Sequence, residues 1–144
     1  MKPKVLFLCT GNSCRSQMAE GFARSLLSES VEAYSAGTKP HGVNSLAVQV
    51  MKESGVDISH HHSKTLDELG EISLDLIVTV CDRAAATCPT PPSGTRVLHV
   101  PFDDPPKLAQ TARDDSEALP HYRRVRDEIK NFILTLPTKL EALK

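Results

Sequence analysis

The chain has 144 residues and no tryptophan, and its two tyrosines and four phenylalanines make it only 4% aromatic. A cleft walled with rings to grip aryl groups therefore has little to draw on. No long apolar run is present either. Val5 to Cys9 is short, and Leu74 to Cys81 is interrupted by Asp75 and Thr79. A bilayer-spanning helix needs about 18 apolar residues or more. Met1-Lys2-Pro3-Lys4 leads into a strand-like run rather than a signal-peptide core. Surplus charge is missing too, with 17 Lys+Arg against 18 Asp+Glu. That balance offers no basic excess for a nucleic-acid backbone and no polybasic segment for an anionic membrane. These absences predict a cytoplasmic monomer that binds neither nucleic acid nor membrane. The length suits one domain over 1–144, which at this size buries about 70% of the surface its unfolded chain exposes.

Four cysteines are present, Cys9, Cys14, Cys81 and Cys88. A domain of this size needs no disulfide staples, and cysteines in a reducing compartment are catalytic, metal-binding or simply buried. Their spacings, C-x4-C and C-x6-C, do not match the C-x2-C pairs of structural zinc sites. Reactive thiols become the leading idea.

Val5-Leu6-Phe7-Leu8 reads as a strand buried on both faces of a parallel sheet. A polar turn follows, and from Ser16 the period becomes helical, with Met18, Ala19, Phe22, Ala23, Leu26 and Leu27 on one face. Val31 to Gly37 predicts a second strand. A helix around Leu46, Val50 and Met51 is expected to stop at Gly55. Strands are also expected at Leu74–Val80 and Arg96–Val100, and a last helix over Pro120–Leu136 with Val125, Ile129, Phe132 and Ile133 inward. The stretches Pro89–Gly94 and Lys107–Ala118 read as loops. Alternating strands and helices predict an α/β sandwich with a parallel sheet of about four strands.

In such sheets, ligands bind where strand carboxyl ends meet helix amino ends. Cys9-Thr10-Gly11-Asn12-Ser13-Cys14-Arg15 lies at such a point. Its backbone N–H groups and the following helix would make a socket for an oxyanion. Arg15 adds a planar cation suited to bidentate contact with phosphate-like oxygens, and both features favour the thiolate of Cys9. The design is one that binds a tetrahedral oxyanion and attacks its central atom. His60-His61-His62 carries no partner at ligand spacing and reads as a solvated loop, so no metal site is expected. Arg123, Arg124 and Arg126, among Asp127 and Glu128, read as the outer face of the last helix.

Cys9-Thr10-Gly11-Asn12-Ser13-Cys14-Arg15-Ser16-Gln17-Met18-Ala19-Glu20-Gly21 resembles the opening motif of the thioredoxin-coupled arsenate reductases, which have the low-molecular-weight phosphatase fold. The resemblance continues through Tyr34-Ser35-Ala36-Gly37, Val78-Thr79-Val80-Cys81, Cys88-Pro89 and Phe102-Asp103-Asp104-Pro105. It implies a three-layer α/β sandwich and the reduction of arsenate to arsenite, with phosphate or sulfate as competing oxyanions. By resemblance, the oxyanion sits on Thr10, Gly11, Asn12, Ser13, Cys14, Arg15 and Ser16, with Ser16 placed to hydrogen-bond Cys9. Cys9 attacks arsenate and Asp104 donates a proton to the leaving oxygen; Asp103 is the fallback acid, or else satisfies backbone donors in the turn. Cys81 then attacks the Cys9 adduct, and Cys88 resolves the Cys9–Cys81 bond. Thioredoxin reduces the Cys81–Cys88 disulfide, so no tightly bound cofactor is implied.

Two thiols seven residues apart in a helix have Cα atoms about 10 Å apart, beyond the roughly 7 Å limit for a disulfide, so that segment must change shape if they pair. Cys14 reads as a packing residue. In some relatives a potassium ion uses positions matching Asn12, Glu20 and Ser35 plus an acidic residue. Lys64 stands at that last position here, and its ammonium is expected to replace the ion beside Glu20. A tyrosine phosphatase of the same fold is the alternative reading, with weak aryl-phosphate hydrolysis expected as a side activity. A sensing module using the same thiols is a third, with no DNA-reading element to support it.

Overall fold

A computed structural model describes residues 2–70, 72–81 and 95–142. Four strands form one wholly parallel sheet, β1 (Lys4–Cys9), β2 (Glu32–Gly37), β3 (Leu76–Thr79) and β4 (Arg96–His99), in the order β2-β1-β3-β4. Four α-helices are described, α1 (Arg15–Leu26), α2 (Ser45–Glu53), the short α3 (Pro105–Leu108) and α4 (Asp115–Ala142). β1 and β3 are near-continuous apolar runs because both lie in the sheet interior, where neither face meets water. Among the described residues β4 pairs on one side only, and Arg96, Val97 and His99 are exposed.

The helices follow from local chemistry. Asn44 caps α2, its Oδ1 accepting from the N–H groups of Leu46 and Ala47 at 2.9 and 3.0 Å. Gly55 ends that helix with φ +80°, a conformation most side chains resist. α1 is buried on every side from Ser16 to Ala23, so its apolar stripe is wider than one face. α1, α2 and α4 pack against one another, and Met18, Phe22, Met51, Ile58, Ile129 and Ile133 fill the space between.

Three sequence expectations need correction. The last helix begins at Asp115 and runs to Ala142, longer than Pro120–Leu136, so that it takes in the end of the stretch Lys107–Ala118 read as loop, while α3 takes in its first two residues. Asp114 starts α4 by accepting from the Glu117 N–H at 3.1 Å, while the Glu117 carboxylate accepts from the Arg113 N–H at 3.1 Å. This reciprocal cap sets the start five residues before Pro120. Arg126 is not on an outer face. Its guanidinium donates to the Val50 carbonyl and to Glu53, both at 2.9 Å, while Arg123 grips the same carboxylate, so the two arginines bind α4 to α2.

A cysteine-bearing loop and its surroundings

β1 has β2 on one side and β3 on the other, so the chain leaves its carboxyl end at a switch point of the sheet. The loop from Cys9 to Arg15 occupies that position. A second segment, residues 38–44, runs beside it and donates backbone N–H groups to its carbonyls. Thr38 donates to Cys9 at 3.3 Å, Lys39 to Thr10 at 2.8 Å, His41 to Gly11 at 2.9 Å and Asn44 to Ser13 at 2.8 Å. The Asn12 carbonyl accepts from Gln17 Nε2 at 3.1 Å and from the Ser63 hydroxyl. A trans peptide holds its N–H opposite its C=O. Each carbonyl drawn outward therefore turns the N–H of the next residue inward, which applies to Thr10, Gly11, Asn12, Ser13 and Cys14. The amino end of α1 adds its positive dipole to this nest of amides. Close approach of the two segments requires Gly37, where a β-carbon would lie 2.7 Å from the Thr10 carbonyl oxygen and 2.8 Å from the Asn12 nitrogen.

Asn12 takes the left-handed φ of +47°, uncommon outside glycine. Its buried side chain explains the choice. Oδ1 accepts from the Lys64 N–H and from Gln17 Nε2, each at 3.0 Å, and Nδ2 donates to Ser16 Oγ at 2.8 Å. Ser16 Oγ lies 2.8 Å from Cys9 Sγ. A thiolate has no proton to give, so toward an ionised Cys9 the serine hydroxyl is the donor. Negative charge on Cys9 thus meets a hydroxyl donor on one side and the amide nest on the other.

Arg15 lies across the cleft, donating to the Phe102 carbonyl at 3.0 Å, with its other terminal nitrogen 3.7 Å from Asp104. Asp104 precedes α3 without spending its carboxylate on that helix's N–H groups. Asp103 lines the same cleft, with its carboxylate paired to Arg124 at 2.9 Å. Cys81, just beyond β3, is buried with its Sγ 3.4 Å from Thr10 Oγ1. Cys9, Cys14, Arg15, Cys81 and Asp104 all line one cleft of about 1260 Å³. Burial, reinforced by nearby Cys9, pushes the Cys14 thiol far above its ordinary range, with Arg15 opposing, so Cys14 stays protonated. Cys88 lies outside the described residues.

Behind the loop, Glu20, Ser35 and Lys64 stand together as the resemblance implied, and Gln17, Arg24 and His61 join them as members that sequence reasoning missed. Glu20 is buried, takes a hydrogen bond from the Ser35 hydroxyl and pairs with Arg24 at 2.8 Å. His61 is not solvated. Its Nδ1 lies 2.9 Å from Gln17 Oε1 and 3.9 Å from Glu20, and burial lowers its pKa while Glu20 opposes that shift. Lys64 Nζ donates to the Ser35 carbonyl at 3.3 Å, and burial lowers its pKa against the pull of Glu20. A signal was available in Gln17 and Glu20, polar residues amid an otherwise apolar helical stretch. No group of three or more metal-ligating side chains occurs among the described residues.

A cysteine opening an amide-lined anion loop at a strand end, faced by an arginine and a carboxylic acid, defines a class of open α/β proteins built around a nucleophilic thiol. Within that class, the chain belongs to the low molecular weight phosphotyrosine protein phosphatase family, whose model matches residues 4–143. The α/β fold with its four-stranded parallel sheet agrees with that membership. An arsenate reductase from Halalkalibacterium halodurans is 49% identical over 134 residues, covering 93% of this chain and 94% of its own. Among solved structures, an arsenate reductase in the phosphate-binding state superposes with a TM-score of 0.75 at 30% identity, covering 97% of this chain and 99% of that one. A thioredoxin-dependent arsenate reductase from Corynebacterium glutamicum gives 0.72 at 25% identity, covering 99% of this chain and 64% of that one.

Proposed function

We propose that this protein reduces arsenate to arsenite through a relay of three thiols, with thioredoxin as the final reductant. The observation that carries this reading is the second thiol. Cys81 reaches the same cleft as Cys9 and contacts the loop through Thr10. Phosphoryl transfer by a cysteine needs one sulfur, whereas removing two electrons from protein thiols needs a pair. Cys9 attacks arsenic held by the loop amides and Arg15, and Asp104 gives its proton to the departing oxygen, which leaves as water. Cys81 attacks Cys9 Sγ. The new S–S bond forms as the S–As bond breaks, and its electron pair stays on arsenic, yielding arsenite. Cys88 then attacks Cys81 and frees Cys9. The curated relative named an arsenate reductase and the thioredoxin-dependent neighbour support the same assignment. Treating the protein with one equivalent of arsenate, without thioredoxin, and mapping its disulfides tests this. A Cys81–Cys88 bond is expected; thiols that all remain reduced would refute the relay.

No potassium ion takes part in this reading. A cation site behind the loop would need free carboxylate oxygens, but Glu20 is engaged by Ser35 on one oxygen and by Arg24 on the other. Lys64 brings a further positive charge to Ser35. The residues present do not fit a metal cation, and the ammonium of Lys64 supplies the charge instead.

A further inference from the structure

One contact of the loop reaches a part of the molecule that the relay does not use. Tyr122, on α4, is only 3% exposed. A phenylalanine would fill its space equally well, and a buried hydroxyl costs free energy unless bonded. Its oxygen accepts from Asn44 Nδ2 at 3.1 Å. Asn44 is the residue whose backbone N–H holds the Ser13 carbonyl at 2.8 Å, while its Oδ1 caps α2. Every hydrogen-bonding group of this asparagine other than its carbonyl is thereby assigned to a different neighbour: loop, α2 and α4. The Ser13–Cys14 peptide is the last unit of the nest before α1 begins.

We propose that Tyr122 and Asn44 form a strut that holds the Ser13–Cys14 peptide with its N–H toward the bound oxyanion, making both positioning residues for oxyanion affinity. The proposal rests on the reading of residues 9–15 as the oxyanion site. Burial, together with the nearby charges of Asp104 and Asp115, raises the Tyr122 phenol above its ordinary range although its bond to Asn44 opposes this, so the hydroxyl remains neutral beneath the socket. An amide held in place contacts the oxyanion in ground and transition states alike, and losing such uniform binding raises KM while leaving kcat.

The test uses Tyr122→Phe, which keeps the ring, and Asn44→Ser, which keeps a capping oxygen for α2 but loses the reach to α4. Oxyanion affinity is read without turnover, from protection of Cys9 against iodoacetamide by inorganic phosphate, and beside it KM and kcat for arsenate with thioredoxin. Each variant is expected to weaken phosphate protection and raise KM about 5- to 10-fold, with kcat changed by less than about 2-fold; tenfold corresponds to about 1.4 kcal/mol. The double variant should match the single ones, because both break one connection. Wild-type protection with an unchanged phosphate midpoint in Tyr122→Phe overturns the strut and leaves the oxyanion site standing. Failure of phosphate to protect the wild type overturns the site and the strut together. A fall in kcat with KM unchanged also contradicts the proposal, since it places the effect on the reacting sulfur.

Discussion

Ser16→Ala removes the hydroxyl that Asn12 orients toward Cys9, and the geometry sets the size of the effect. The 2.8 Å contact between Ser16 Oγ and Cys9 Sγ is a hydrogen bond to a charged group when the sulfur is ionised. Such bonds contribute about 1.5–3 kcal/mol, or about 10- to 150-fold in the balance between thiolate and thiol. A sulfur deprived of its donor is also more basic and therefore more nucleophilic. With a Brønsted slope of 0.4–0.5, roughly half of the logarithm is recovered. The net expectation at about pH 6, well below the ordinary thiol range, is a 3- to 12-fold slower alkylation of Cys9 by iodoacetamide. The loss of arsenate kcat/KM should be similar. Removing the hydroxyl also strands the buried Asn12 Nδ2, so the same variant should lose about 1–3 kcal/mol of stability in a urea titration. Alkylation at the wild-type rate, or faster, would show that the serine proton does not act on the sulfur.

Gly37→Ala should destabilise by about 1–3 kcal/mol, because its β-carbon meets backbone atoms of the loop at 2.7 and 2.8 Å; an unchanged urea midpoint would mean that the two segments separate easily. His61 has a folded pKa below its unfolded value because of burial, so the unfolded chain binds its proton first. Stability from this residue is complete above the ordinary histidine range and is lost as pH falls through that range toward the folded value. His61→Gln should therefore flatten the urea midpoint between about pH 7 and pH 5, and an identical slope in the variant would refute the assignment. Replacing sodium by potassium should barely change arsenate turnover in the wild type, whereas several-fold activation specific to potassium would contradict the role given to Lys64.

The strands, the first loop and the helix after it were legible because each carries a local signal, an apolar run, a glycine-bearing polar turn or a helical period. Cys9 and Arg15 could be nominated because a thiol and a planar cation are distinctive residue types at a strand end, whereas Asp104 came only from the resemblance, since an Asp-Asp-Pro-Pro stretch by itself reads as a turn. What could not be read was the second segment that fixes the loop. Thr38, Lys39, His41 and Asn44 act through backbone N–H groups, and backbone donors leave no mark in residue identity. His61 was misjudged for a related reason. Its neighbours His60 and His62 are exposed, and only the fold turns the middle ring toward Gln17. Asn12 lies between these cases, a polar loop residue by sequence, whose left-handed backbone and triply used amide appear only in three dimensions. α4 starts ahead of the expected Pro120 because the cap formed by Asp114 and Glu117 begins the helix at Asp115.

The most direct measurement is arsenate-dependent oxidation of NADPH in the presence of thioredoxin and thioredoxin reductase, with wild type beside Cys88→Ser. Turnover in the wild type that collapses in the variant is the predicted result, because the relay then stops at Cys9–Cys81. No turnover in the wild type, together with rapid hydrolysis of an aryl phosphate, would contradict it and make the chain a phosphatase whose later cysteines play no part.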